Sequence, residues 1–189
     1  MTRPLFLALL VAQPTAVLAH PGHDPGGLAG GLVHPLGAAD HVLAMVALGL
    51  LTAQAGGRAL WRLPAVFVGA MLAGFAAGWS GIPFGAVEPV ALASVIILGA
   101  LVAVAARMPP WAMAAMAAAF GCAHGWAHGW AHGAEGPDGG LLAHAAGLAA
   151  ATALLQGMGI LIGRTALPPL LRGLGGLTAA AGLALAVAG

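Results

Sequence analysis

The sequence of 189 residues contains no lysine and no tyrosine, a single cysteine and only five carboxylates. Each shortage removes a class of protein. Charged residues make up 6% of the chain, too few to cover the surface of a soluble domain of this size. A formal net charge of +1 gives no electrostatic basis for holding nucleic acid. The lone Cys122 excludes an intrachain disulfide and any cysteine-rich zinc module. Without lysine there is no phosphate-binding loop of the GxxxxGK type, so direct nucleotide-driven pumping is not expected.

What remains is apolar: 61% hydrophobic residues, 31 glycines and a mean hydropathy of +0.99. This composition predicts an all-α polytopic membrane bundle lying in the lipid bilayer as one domain. Apolar runs punctuated by Gly, Pro and Arg predict six spans, near 31–54, 63–80, 86–106, 111–132, 141–163 and 170–188. Residues 1–19 read as a cleavable signal peptide: Arg3, a short apolar core from Leu5 to Val11, and a small-residue ending at Ala19. A retained N-terminal anchor is the alternative. Residues 20–30 then form an external segment with His20, His23 and Asp24, followed by the transmembrane domain over 31–189.

Arginine placement gives the orientation. Arg58 and Arg62 follow the first span, Arg107 the third, and Arg164 and Arg172 flank the turn between the fifth and sixth. The opposite side carries Asp24, Glu88, Glu135 and Asp138 and no arginine. The positive-inside rule puts the arginine loops in the cytoplasm and both mature termini outside the cytoplasmic (inner) membrane. The short connections predict that sequential helices pack as antiparallel neighbours. Gly69, Gly74 and Gly78, then Gly121, Gly125, Gly129 and Gly133, supply the small residues that membrane helices need for close approach. The segment AHGW-AHGW-AHG at 123–133 places each residue type on its own stripe, with Trp126 and Trp130 at the outer interface.

Eight histidines in such a chain carry its chemistry, since imidazole in hydrocarbon is costly unless it faces a cavity, a partner or a metal. In the first span, HPLGAADH holds His34, Asp40 and His41. His34 precedes Pro35 and is expected to cap the helix from the outer side. His41 is expected two turns down the same face, about 10 Å deeper, with Asp40 beside it. On one unbroken helix, His34 and His41 read as successive stations. Asp40 reads as a ligand or as the carboxylate that orients the imidazole; a structural Asp–His hydrogen bond is the alternative. In the fourth span, His124, His128 and His132 recur every four residues, and Glu135 follows three further on. Histidines at i and i+4 share a helix face and can chelate one divalent ion. His128 and His132 are the expected pair, with Glu135 at the outer mouth. His124 either extends the track or bonds a neighbouring helix. Imidazole suits Ni, Zn, Cu and Fe, and the absence of thiolate clusters argues against a soft Cu(I) carrier.

Secondary candidates are Glu88, a ligand or a helix cap, and His144, which completes a site or reaches the interface. Cys122 and the methionines read as packing. His20, His23 and Asp24 form an external chelating tail or an incidental terminus.

Taken in this order, the HPGH after the leader, HPLGAADHVLAM at 34–45, Glu88-Pro89 and HGWAHGAE before the fifth span resemble the HupE/UreJ family over nearly the whole chain. The resemblance implies metal ligands at His34, Asp40, His41, His128 and His132. It also implies inward passage of nickel, in some members cobalt, through a secondary permease found beside hydrogenases and urease, whose maturation proteins are then the expected partners. Two departures stand out: an additional AHGW unit in the fourth span, and Gln156 at the end of ATALLQ where many relatives would carry histidine.

The leading expectation is therefore a facilitator moving Ni²⁺ or Co²⁺ as substrate across the cytoplasmic membrane, not an enzyme. Neutral imidazole is the ligating form, so binding should weaken as pH falls through about 6.5. The ligands cluster in the outer half, leaving chiefly Thr52, Gln54, Thr152 and Gln156 for exit. Two alternatives stay open: an intramembrane metallohydrolase using Glu135, Glu88 or Asp40 as base, and a membrane protein that holds metal without conducting it. A polar path continuing inward from His41 favours transport.

Overall fold

The computed structural model describes residues 26–134 and 140–188. The leader, His20, His23, Asp24, Glu135 and Asp138 lie outside the described residues. Among those described, the chain forms seven α-helices and no strand: α1 (Gly27–Val33), α2 (Ala39–Ala55), α3 (Ala59–Trp79), α4 (Val87–Ala103), α5 (Pro110–Ala134), α6 (Leu141–Thr165) and α7 (Pro168–Ala188). The all-α membrane bundle read from the composition is the observed architecture. By length and apolarity three helices qualify as spans (α3, α6 and α7), or four when the bent pair α1–α2 counts as one. Val87–Ala103 is a shorter apolar helix.

The first expected span is broken. α1 runs into a single 3₁₀ turn at His34–Leu36, and α2 starts again at Ala39 after a bend of 82°. Pro35 has no N–H to donate, and Ala38 adopts an extended conformation (φ −98°, ψ 104°) just before α2. His34 therefore does not cap α2 and does not share its face with His41, as a continuous helix would require. The start of α2 instead lies against the middle of α6, where His41 meets Thr152. Discontinuous helices with ends buried among neighbours are how membrane proteins bring polar backbone and side chains to mid-depth.

The closest packing is not between sequential helices. Along α3 and α5, glycines let the backbones touch: a Cβ on Gly121, Gly125 or Gly129 would collide with the carbonyl of Phe67, Met71 or Phe75 in turn. Gly74 and Gly78 face the carbonyls of Cys122 and Trp126 from the other side. The ascending register shows α3 and α5 running in the same direction. α2 and α6 form a second parallel pair, Gly49 against the Gln156 carbonyl and Gly159 against that of Val46. α4 pairs with α7 in the opposite sense, through Gly99, Gly175 and Gly182. Lipid gives apolar side chains little reason to cluster, so these backbone approaches, with their Cα–H···O contacts, decide which helices are neighbours. Short connections limit loop reach without dictating partners, which is why the antiparallel-neighbour expectation fails.

The remaining contacts fix the ends. Gln54 Nε2 donates to the Val102 carbonyl (3.1 Å) and Arg172 Nε to that of Ala103 (2.8 Å), so the ends of α2 and α4 and the start of α7 lie together. Arg58, Arg62, Arg107 and Arg164 fall at this same arginine end; the histidines lie toward the other. Exposed tryptophans ring both, Trp61 and Trp111 at the arginine end, Trp79 and Trp130 at the histidine end. Between them large apolar side chains such as Ile97, Leu154, Leu177 and Leu183 point outward, as lipid contact requires.

Candidate metal pathway

Six imidazoles from four segments form one continuous ladder, with His34 exposed and His132 half-buried, and His144, His128, His41 and His124 buried in the bundle. His132 stacks on His144 with ring centroids 4.2 Å apart, and both rings lie beside Phe75. His144 lies 5.9 Å from His34, His34 5.1 Å from His128, His128 4.9 Å from His41, and His41 5.1 Å from His124. His124 ends the ladder at Ser94 on α4. The four-residue repeat of α5 explains three rungs: glycine occupies the stripe against α3, histidine falls on the adjacent stripe that faces the core, and Trp126 reaches out to donate to the Ile82 carbonyl at 2.9 Å. The bend after α1 brings both His34 and His41 against one ring, that of His128, and His144 joins from the first turn of α6.

The hydrogen bonds orient the rings. Thr152 Oγ1 lies 3.4 Å from Met71 Sδ and 3.1 Å from His41 Nε2; with its proton on the sulfur, Oγ1 accepts from His41 Nε2–H. That leaves the Nδ1 lone pair of His41 facing His128 Nε2, 3.1 Å away. In the same way Ser94 Oγ donates to the Ala91 carbonyl (2.6 Å) and accepts from His124 Nε2–H (2.9 Å), leaving Nδ1 of His124 as its basic nitrogen. Two nitrogens on one tetrahedral or octahedral ion, with bonds of about 2.0–2.1 Å, stand about 2.9–3.4 Å apart. The His41–His128 spacing lies in that interval. An ion bonded to both nitrogens would sit off the line between them, which takes a tilt of the two rings and a move of the His128 proton to Nδ1. Among the described residues no three His, Cys, Asp or Glu side chains converge on one point as they stand.

A model of the HupE / UreJ protein family matches residues 7–185. The chain belongs to the HupE/UreJ family. Protein HupE of Rhizobium leguminosarum bv. viciae is 39% identical over 99 residues, which are 52% of this chain and 52% of that one, so the match spans about half the length of that relative. No solved structure matches. Membership and the apolar helices make this HupE/UreJ chain a multi-pass membrane protein.

Of the residues singled out in the sequence, the structure brings His34, His41, His128 and His132 into the ladder. Asp40 sits half-buried in the first turn of α2, where a carboxylate also complements the helix N-terminus. Two rungs lie beyond the expected ligand set: His124 and His144, both nearly fully buried. The repeat had signalled His124. His144 was signalled only by its place one turn into an apolar span, as a residue that completes a site or reaches the interface. Glu88 stands apart, exposed at the start of α4, where it lines a surface cavity of about 360 Å³ with Pro89, Ile96 and Ala186. Cys122 contributes packing through its carbonyl against Gly74. Thr152 and Ser94, which set the ring tautomers, carry no motif that sequence reading could recognise.

Proposed function

We propose that this HupE/UreJ chain moves Ni²⁺, and Co²⁺ as a second substrate, inward across the cytoplasmic membrane for delivery to hydrogenase or urease maturation proteins. The observation that carries this reading is the facing pair His41 Nδ1 and His128 Nε2 at 3.1 Å, held in a ladder of imidazoles. With both termini outside, Glu135 attracts the ion at the outer mouth, His132 and His34 receive it, and Asp40 with His41 and His128 holds it at mid-depth. Neutral imidazole binds a borderline divalent ion without adding fixed charge to the bilayer interior. Buried Thr152 and Gln156 continue the polar line beyond His41, which supports passage over a blind hydrolytic pocket or a site that only stores metal.

The test is Ni²⁺ uptake into vesicles carrying the native chain, Asp40→Ala or His41→Ala. Loss of at least about 100-fold in uptake is expected for His41→Ala, and about tenfold or more for Asp40→Ala. Unchanged uptake in both would remove the central site. Competition by Co²⁺ and Zn²⁺ in the same assay reads the selectivity.

A further inference from the structure

Beyond His41, toward the arginine end, the buried core holds donors that the imidazole ladder does not use. Thr52 Oγ1 and Gln156 Oε1 are completely buried and have no hydrogen-bond partner. An unmade bond to a buried polar atom costs about 1–3 kcal/mol, and hydrocarbon offers no water to make it good. Two such atoms on one seam call for something that visits them.

Their placement is regular. On α2, His41, Met45, Gly49 and Thr52 recur at four, four and three residues and share a face; on α6, Thr152, Gln156 and Gly159 do the same. The faces meet where Gly49 touches the Gln156 backbone and Gly159 touches that of Val46. At the top of this seam His41 meets Thr152; one turn further Gln156 Nε2 donates to Met45 Sδ at 3.6 Å, so the amide's oxygen is the end left unsatisfied. Thr52 follows two turns beyond Met45 and one beyond Gly49. Met71 Sδ approaches the same seam from α3 through Thr152.

We propose that the thioethers of Met71 and Met45, then Gln156 and, two turns beyond Met45, Thr52 line a second, weak station stretched along this seam, whose successive donors accept a divalent cation from His41 and pass it toward the arginine end. This rests on the transport reading above. The donor set is neutral throughout: an amide oxygen, a hydroxyl and two sulfurs. Imidazole ligands grip a borderline ion firmly, so an exit built from more imidazole would retain it, whereas uncharged oxygen and thioether donors compensate part of its lost hydration and let go.

Thr52→Val and Gln156→Leu, singly and together, test it in the purified full chain. Thr52→Val removes an unsatisfied hydroxyl, and Gln156→Leu an amide whose oxygen is unsatisfied and whose Nε2 makes only a long contact to sulfur, so thermal stability in detergent should hold or rise. Equilibrium Ni²⁺ binding at the ladder should stay within about twofold of native, while Ni²⁺ uptake into proteoliposomes falls about tenfold or more for the double variant. Native-like uptake by the double variant, beside a native chain that transports, overturns the station and leaves the transport reading intact. Weakened ladder binding or a clear fall in melting temperature also overturns it, because the pair would then be structural. A native chain that moves no Ni²⁺ at all overturns the transport reading itself.

Discussion

Toward the histidine end the core is a run of imidazoles oriented by hydroxyls and by one another; toward the arginine end the same helices carry threonine, glutamine and methionine with oxygen atoms left unsatisfied. Both halves rest on glycine-mediated backbone contact, α3 against α5 in the first and α2 against α6 in the second. The difference lies in what the seams present. On the transport reading proposed above, the first half would bind the ion, its rings held by Thr152 and Ser94. The other makes few commitments, which suits release. Strong ligands throughout would trap a cation, and weak ones throughout would not extract it from water.

Gly125→Ala and Gly159→Ala give the largest contrast. Each added methyl meets a carbonyl of the facing helix, and overpacking of this kind costs about 1–3 kcal/mol. Thermal unfolding in micelles should show a lowered midpoint for both. Only Gly125→Ala, which pushes His124 and His128 away from His41, should weaken Ni²⁺ binding by titration calorimetry, about tenfold or more. Equal losses for both would erase the distinction between the halves. Next in size is Thr152→Val, which removes the acceptor that holds His41 in its tautomer. Loss of such an orienting partner costs about 10–100-fold in metal affinity, measured in the same titration. The smallest effect is expected at the arginine end. Ala105 closes α4 in a left-handed conformation (φ 50°), with Ala106 N–H bonded to the Leu101 carbonyl; Gly81, in the same position after α3, is a glycine with φ 74°. Ala105→Gly should stabilise the fold by about 0.5–1 kcal/mol in thermal unfolding and leave Ni²⁺ binding untouched.

Much of this was legible in the sequence. Apolar runs located the helices to within a few residues, Pro168–Ala188 against an expected 170–188, and arginine spacing marked one end of the bundle. The i, i+4 spacing put His128 and His132 on one face. The break at HPLGAADH was not legible, because an apolar run reports the length of a span and says little about its direction; Pro35 alone is compatible with the start of a helix. Helix partners were hidden for a related reason. Glycines at 121, 125 and 129 announce a close neighbour, yet nothing local says whether it is the preceding helix or α3. The ladder depends on both facts, so His144 on α6 could not be joined to His34 or His132 until the helices were in place. Gln156 read as a departure from a pattern; only its buried, unsatisfied oxygen shows that the position is occupied by a donor.

The tetrapeptide period of α5 has a consequence for how this architecture can change length. Four residues advance a helix by about 6 Å and about 400°, so a duplicated unit returns almost to the same azimuth. Gaining or losing one AHGW block by an in-frame duplication or deletion therefore adds or removes a whole rung, glycine still toward α3 and imidazole still inward, without redesigning either neighbour. The imidazole half is modular in a way that the α2–α6 seam, with each polar group of a different kind, is not.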